Sequence, residues 1–205
     1  FQGQQQTLVV GNYLLLQIIG QGGMGSVYKA EHRRLKRVVA IKMLGPDALK
    51  YSDSVERFVR ETEAAGKLHH RNIVTAFDAG EADGNAYLVM EYVQGVDLDR
   101  LVLKQGPLPP MVAAACILQA ARGLEYVHAQ GVLHRDVKPA NLLLSTDDKQ
   151  AVVKLLDLGI AWIRDAAPST TAQESEARLT RNDRIMGTVN YMAPEQALEI
   201  RSADH

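Results

Sequence analysis

The spacing of apolar residues divides the chain into a strand-patterned first part and a helix-led second part. Tyr13 to Ile19 is an apolar run that ends in β-branched residues, Val27 to His32 alternates, and Val38 to Leu44 is an apolar strand containing Lys42. Residues 53–69 change to a helical period, with Asp53 and Glu56 three apart as a capping-box-like start. Ile73 to Asp78 and Ala86 to Tyr92 read as two further strands, and the Asp83-Gly84 pair between them signals a hairpin. Past Gly95 the texture changes. Pro107, Pro109 and Pro110 precede a helix predicted from Met111 to about Gln130, closed by Gly131. Short strands are predicted at Leu142 to Leu144 and Val152 to Leu156, joined by a polar turn from Ser145 to Gln150. Residues 164–184 are polar and loop-like. The layout is α+β, with a hinge near Tyr92 to Gly95.

Side-chain parity within these elements isolates two charges. Period two puts Val38, Ala40 and Lys42 on one face of their strand and Val39 and Ile41 on the other. An ammonium among short apolar side chains must find an anion or snorkel to water. With Phe58 as zero and about 100° per residue, Ala65 falls near −20°, Glu61 near −60° and Leu68 near −80°. Glu61 therefore lies in the apolar stripe, with Glu56 and Glu63 on the opposite side. A carboxylate there needs a partner or a watery margin, and Lys42 is a plausible partner.

Composition narrows the class. The 205 residues carry 23 lysines and arginines against 24 aspartates and glutamates, a net charge of −1, which lacks the basic excess of a polyanion binder. No nucleic acid is expected as a partner. The single Cys116 can form neither an internal disulfide nor a cysteine zinc site. The longest strongly apolar stretch, Met111 to Ala121 broken by Gln119, is too short for a bilayer, and the polar start shows no signal peptide. A cytoplasmic segment without membrane contact is the expectation. Because the chain opens on Phe1 rather than methionine, it is expected to be a piece of something longer.

Two strings carry chemistry. Gly20-Gln21-Gly22-Gly23-Met24-Gly25-Ser26-Val27 fits G-x-G-x-x-G-x-V. A dinucleotide fold would need a helix after the glycines and an acidic residue about 20 positions on. Here a strand-like Val27-Tyr28-Lys29-Ala30 follows, and Lys42 stands 22 residues past Gly20. A glycine hairpin lets backbone N–H groups approach phosphate oxygens, although taken alone the motif also fits an ordinary hairpin. The second string is more specific. His134, Arg135, Asp136, Lys138, Pro139 and Asn141 match H-R-D-x-K-P-x-N. A chance match has odds on the order of one in 10⁵ to 10⁶ at average residue frequencies.

With these strings, Val39-Ala40-Ile41-Lys42, Asp157-Leu158-Gly159 and Ala193-Pro194-Glu195 in the same order, the chain resembles the eukaryotic-like serine/threonine protein kinases, most closely the branch found in bacteria. The resemblance covers residues 12–205. It implies a two-lobed fold: an extension at 1–11, a strand-rich N-lobe at 12–93, and an incomplete helical C-lobe at 94–205. It further implies ATP and Mg²⁺ as cofactors and Ser/Thr hydroxyls of proteins as acceptors.

By resemblance, Lys42 holds the α- and β-phosphates and Glu61 orients it. The run Ile19, Gly20, Gln21, Gly22, Gly23, Met24, Gly25, Ser26 and Val27 covers the nucleotide, with Ala40 above the adenine and Leu143 beneath it. Met90 is the gatekeeper, and Glu91 to Val93 form the hinge whose backbone bonds adenine. Asn141 and Asp157 ligate the metal, Asp136 accepts the hydroxyl proton, and Lys138 steadies the moving phosphoryl group. Thr188 matches a threonine that bonds the catalytic aspartate and lysine. Arg135 implies control by phosphorylation, at Thr180 before Thr171 or Thr170, with Ser169 and Ser175 as further candidates and room for dimerisation for autophosphorylation.

The chain departs from the family in three places. Leu158 stands where most relatives have phenylalanine, and Val189 and Asn190 replace the usual residues after Thr188. Relatives continue past His205 into buried helices that cover the 111–130 helix and supply an arginine to Glu195. These residues alone are therefore expected to be poorly stable and weakly active or inactive. A non-catalytic, pseudokinase-like fragment is the alternative. A small-molecule phosphotransferase of related fold is disfavoured by the K-P-x-N string and the Ala-Pro-Glu ending.

Overall fold

The computed structural model describes residues 8–22, 25–45, 52–82, 84–146, 151–157 and 190–191, and within 52–57 the Val55 side chain alone. Six antiparallel strands build the first sheet: β1 Val9–Val10, β2 Tyr13–Gly22, β3 Gly25–His32, β4 Val38–Leu44, β5 Ala76–Ala82 and β6 Asn85–Glu91. Their order is β1-β2-β3-β4-β6-β5, with helix α1, Ser52–Ala65, between β4 and β5 in the chain. A second, three-stranded sheet orders β7 Gly95–Asp97, β8 Leu142–Ser145 and β9 Val152–Leu155. It accompanies α2 Leu98–Gln105, α3 Pro110–Ala129 and a 3₁₀ turn at Pro139–Asn141.

Strand parity decides what each face of the large sheet buries. Val39 and Ile41 pack with Tyr13, Leu15, Ala30, Tyr87 and Val89 on one side. On the other, Leu44 and Leu88 meet Phe58 of α1. A separate core gathers Leu68, Ile73, Cys116, Ala120, Val127, Leu142, Val153 and Leu155 around α3 and the small sheet. Each such aliphatic side chain contributes about 1.5–3 kcal/mol when fully buried. Gly123 permits the closest approach in this core, since a Cβ there would meet Leu155 Cδ1 at 2.7 Å and the Asn72 carbonyl at 2.9 Å.

Asn72 stitches the segment after α1 to the small sheet. Its carbonyl accepts from the Leu155 N–H at 2.8 Å, and its Nδ2 donates to the Val153 carbonyl at 2.8 Å and to Gln119 Oε1 at 3.2 Å. The Val74 N–H adds a bond to the Leu155 carbonyl at 3.0 Å.

Most predicted elements are present, with shifted ends. Helix α1 stops at Ala65 rather than running to 69, because three-residue turns from Lys67 to Ala64 and Leu68 to Ala65 replace the helical ladder. Leu68 is still fully buried. Strand β5 starts at Ala76 rather than Ile73, whose bridge goes to Leu155 instead. Three elements had no counterpart in the pattern. Val9–Val10, expected in an extension, pairs with β2 as the sheet's first strand. β7 and α2 follow the hinge, where Asp97 Oδ1 caps α2 by accepting from the Arg100 N–H at 2.8 Å and Gly106, at φ +82°, ends it. Met111, Ile117 and Leu118 of α3 are exposed apolar residues.

Candidate active site

Lys42 sits in β4 directly opposite Val27 of β3 and Leu88 of β6, on the face that receives α1. Its Nζ lies 2.8 Å from Glu61 Oε1 and 2.9 Å from Asp157 Oδ1. Glu61 is only 7% exposed, so the helical stripe does carry it inward. Burial opposes the Lys42 charge, but the Asp157 and Glu61 carboxylates outweigh it and hold its pKa well above the usual lysine range. Burial also pushes the Glu61 carboxyl up, against the pull of Lys42. For Asp157 the balance reverses. Burial raises its pKa, yet the Lys42 ammonium wins and keeps the carboxyl below its ordinary value.

A second constellation comes from the loop between α3 and β8. Asp136 Oδ2 accepts from Lys138 Nζ at 2.7 Å and from Asn141 Nδ2 at 2.9 Å. The same Asn141 amide donates to the Asp136 carbonyl at 2.8 Å. With both contacts on the nitrogen, the amide oxygen is the atom left to meet a cation.

Leu156 joins the two constellations. Its N–H donates to the Asn141 carbonyl at 2.9 Å, and its carbonyl lies 3.0 Å from His134 Nε2, so that nitrogen carries the proton. His134 is 1% exposed, and burial pushes its pKa below the ordinary histidine value. Arg135 and Asp157 sit at φ +57° and +43°, left-handed conformations that a non-glycine residue holds only where its surroundings enforce them.

The glycine strip forms the end of the β2–β3 hairpin, with Gly20 opposite Val27, Gln21 opposite Ser26 and Gly22 opposite Gly25. Ile19 occupies the register shift between Ile18 and Gly20. Gly25, at φ +146°, leaves no room for a side chain, because a Cβ would fall 1.8 Å from the Met43 carbonyl. Ala40 pairs with Met90 across β4 and β6. Past them the Glu91 N–H donates to the Thr75 carbonyl at 2.8 Å, while its carboxylate meets Lys154 Nζ at 2.9 Å. Lys29 Nζ stands 4.6 Å above the Tyr92 ring. Leu143, in β8, pairs with Asp97 and Lys154. Val93 follows Tyr92 and is half-buried.

Gly23, Met24, Leu158, Gly159, Thr188, Val189, Ala193-Pro194-Glu195 and the candidate phosphorylation sites Ser169, Thr170, Thr171, Ser175 and Thr180 lie outside the described residues. The sequence reading missed Lys154 and Asn72, and it placed His134 in the H-R-D string without giving it a role. Lys154 had the same signal as Lys42, a lysine inside a short apolar strand. Among the described residues no group of three or more His, Cys, Asp or Glu could hold a metal. The Asn141 amide oxygen and the Asp157 carboxylate are oxygen donors of the kind a hard cation takes. No helix among the described residues is long and apolar enough to cross a membrane.

A small sheet lobe and a helix-led lobe that set a lysine, a glutamate and two aspartates along their seam define a phosphoryl-transfer fold. Residues 13–204 match the protein kinase domain, and the chain belongs to that family. It is 42% identical over 186 residues to serine/threonine-protein kinase PknH of Mycobacterium bovis, covering 91% of this chain and 29% of that protein. It is 39% identical over 189 residues to serine/threonine-protein kinase PrkC of Bacillus subtilis, covering 92% of this chain and 27% of that protein. The solved PknI kinase domain of Mycobacterium tuberculosis superposes with a TM-score of 0.66 at 34% identity, over 84% of this chain and 68% of that one. The chain thus spans under a third of the length of these curated relatives, and its family is that of bacterial-type serine/threonine kinases.

Proposed function

We propose that this chain is the catalytic segment of a cytoplasmic, ATP- and Mg²⁺-dependent kinase that phosphorylates Ser and Thr hydroxyls of proteins. The observation that carries the reading is the Lys42 ammonium held at 2.8 Å by Glu61 and at 2.9 Å by Asp157. A cation fixed in this way presents its charge to the α- and β-phosphates without reorganising. The Gly20 to Val27 hairpin offers backbone N–H groups above them, and its missing side chains let the strand approach. The Glu91 N–H is already committed to Thr75, which would leave the Glu91 carbonyl and the Val93 backbone to bond the adenine edge between Ala40 and Leu143.

Asn141 and Asp157 would hold Mg²⁺, which offsets the negative charge of the triphosphate when bound. The Asp136 carboxylate, oriented by Asn141 Nδ2, would aim the substrate hydroxyl and take its proton as that oxygen bonds the γ-phosphorus and the bond from the γ-phosphorus to the bridging oxygen breaks, releasing ADP. Lys138, 2.7 Å from that carboxylate, is within reach of the transferring oxygens. The left-handed turn at Arg135 faces the Asp136 backbone toward Asn141, which fixes the base before substrate arrives. Control through phosphorylation at Thr180, and dimerisation that lets one copy modify another, complete the reading.

The test is transfer of radiolabelled γ-phosphate to a generic protein by the full chain and by Asp136→Asn. Transfer lost in the variant with ATP binding retained supports the reading. A variant as active as its parent refutes it. ATP binding without transfer by either would leave the non-catalytic alternative standing.

A further inference from the structure

Behind the hinge lies a groove of about 410 Å³ that shares no residue with the Lys42–Glu61–Asp157 or Asp136–Lys138–Asn141 sets. We propose that it binds a phosphorylated protein segment, with the phosphate monoester held between Arg37 and Arg71.

The charge is local and one-sided. Arg37, His69, His70, Arg71 and Lys154 line the groove, and Glu91 is the one carboxylate among its lining residues. The whole chain carries a net charge of −1, so this accumulation is not a by-product of a basic composition. Glu91 is spent on Lys154 at 2.9 Å, which leaves two guanidinium charges that no carboxylate of the lining answers. Like charges brought together in this way favour an anion of more than one unit.

Three of the nitrogen-bearing groups are held in place before any ligand arrives. The Arg37 guanidinium lies 3.8 Å from the centroid of the Phe77 ring, so its face is occupied and its in-plane N–H edges are presented outward. His70 Nδ1 accepts from the Asn72 N–H at 3.1 Å, and its ring stacks on Tyr126 at 5.1 Å, which fixes Nε2 as the remaining donor. Lys154 is anchored by Glu91. Arginine forks match the tetrahedral oxygens of a phosphate in two-point contacts, and pre-placed donors lose little entropy on binding. The groove is open rather than enclosed, a shape that admits a phosphorylated side chain together with the extended backbone on either side of it. The choice of a phosphoprotein as source rests on the kinase reading, since such an enzyme meets its own product class.

The probe is a fluorescein-labelled phosphothreonine peptide with neutral flanks, followed by anisotropy against the full chain. Its unphosphorylated counterpart should bind at least tenfold more weakly. Arg71→Glu should weaken phosphopeptide binding about tenfold and Arg37→Gln several-fold, while excess ATP with Mg²⁺ displaces nothing. Should Arg71→Glu lose its melting transition, Arg37→Gln decides. Equal binding of the two peptides, or affinity unchanged in the variants, overturns the proposal. Displacement by inorganic phosphate at micromolar concentration would assign the groove to the free anion, and displacement by phosphatidylserine vesicles to a membrane surface. Either would also overturn it. Asp136→Asn separates this inference from the kinase reading. Peptide binding without transfer by the parent chain sinks only the latter, and transfer without peptide binding sinks only the former.

Discussion

Replacing Lys42 with methionine tests how the site stores its charge. The Lys42–Glu61 contact at 2.8 Å carries about 6 kcal/mol of gross attraction at an effective dielectric of about 20. Desolvating both ions offsets most of that, so the pair adds little net stability. Removing one partner is different, because Glu61 is 7% exposed and would be left charged and alone. That state costs about 3–5 kcal/mol, and the carboxyl escapes it by taking up a proton. Its pKa already sits above the ordinary 4.5 because of burial, and loss of the lysine removes the main cause holding it down. At about 1.36 kcal/mol per pH unit, holding a proton at pH 7 against that ordinary value costs about 3 kcal/mol.

Lys42→Met should therefore cost about 3 kcal/mol at pH 7. The sign of the pH dependence follows. The folded variant binds a proton at Glu61 that the unfolded chain does not, so its stability falls as pH rises and recovers toward pH 5. Adding Glu61→Gln should abolish that slope and restore about 2 kcal/mol at pH 7. Asp157 also loses its partner in this variant, but its side chain is half-exposed, so water can take up part of the lost contact. Denaturant titrations at pH 5, 6 and 7 of the parent, Lys42→Met, Glu61→Gln and the double variant give the full cycle. Strictly additive substitutions with no pH slope in Lys42→Met would show that the two side chains are not coupled.

Asp136→Asn should lower transfer by about 10²–10⁴-fold while calorimetry finds ATP affinity unchanged, because the carboxylate acts on the acceptor hydroxyl. His134 has a folded pKa below its unfolded one, so the unfolded chain binds more protons between the two values. Stability should fall as pH drops through about 6.5, and denaturation midpoints from pH 7.5 to 5.5 should be flatter in His134→Gln than in the parent. Gly123→Ala should cost about 1–3 kcal/mol and lower the melting midpoint, since the new Cβ would press on Leu155 at 2.7 Å and Asn72 at 2.9 Å. An unchanged midpoint would mean that α3 and β9 are not packed as described.

What could be read in advance divides by range. Strand parity around Lys42 and the helical stripe through Glu61 are local periodicities, and both placed the side chains on the faces they occupy. The string from His134 to Asn141 is also local, and its members meet within one loop. Elements defined by distant partners were not legible. Val9–Val10 is too short to announce itself without β2, and Gly95–Asp97 is a strand only because Leu143 to Ser145 lies beside it. Ile73 looked like the start of β5, yet its neighbour is Leu155, 82 positions away. Helix α2 is capped by Asp97, but its short run carries a single buried apolar residue, Leu98, too little to show as a helical stripe.

Lys42 and Lys154 show why one signal can lead to different sites. Both are lysines inside short apolar strands, and each ends on a carboxylate at hydrogen-bond distance. Lys42 answers two carboxylates, Glu61 and Asp157, from elements far apart in sequence, so its position depends on both lobes. Among the described residues Lys154 answers only Glu91, at the end of β6, and so ties the small sheet to the strand that leads into the hinge. An anion drawn to Arg37 and Arg71 would compete with Glu91 for that ammonium. Occupancy of the rear groove and the set of the adenine-binding backbone would then share one residue, and by linkage any effect of the peptide on ATP affinity must be matched by an equal effect of ATP on the peptide.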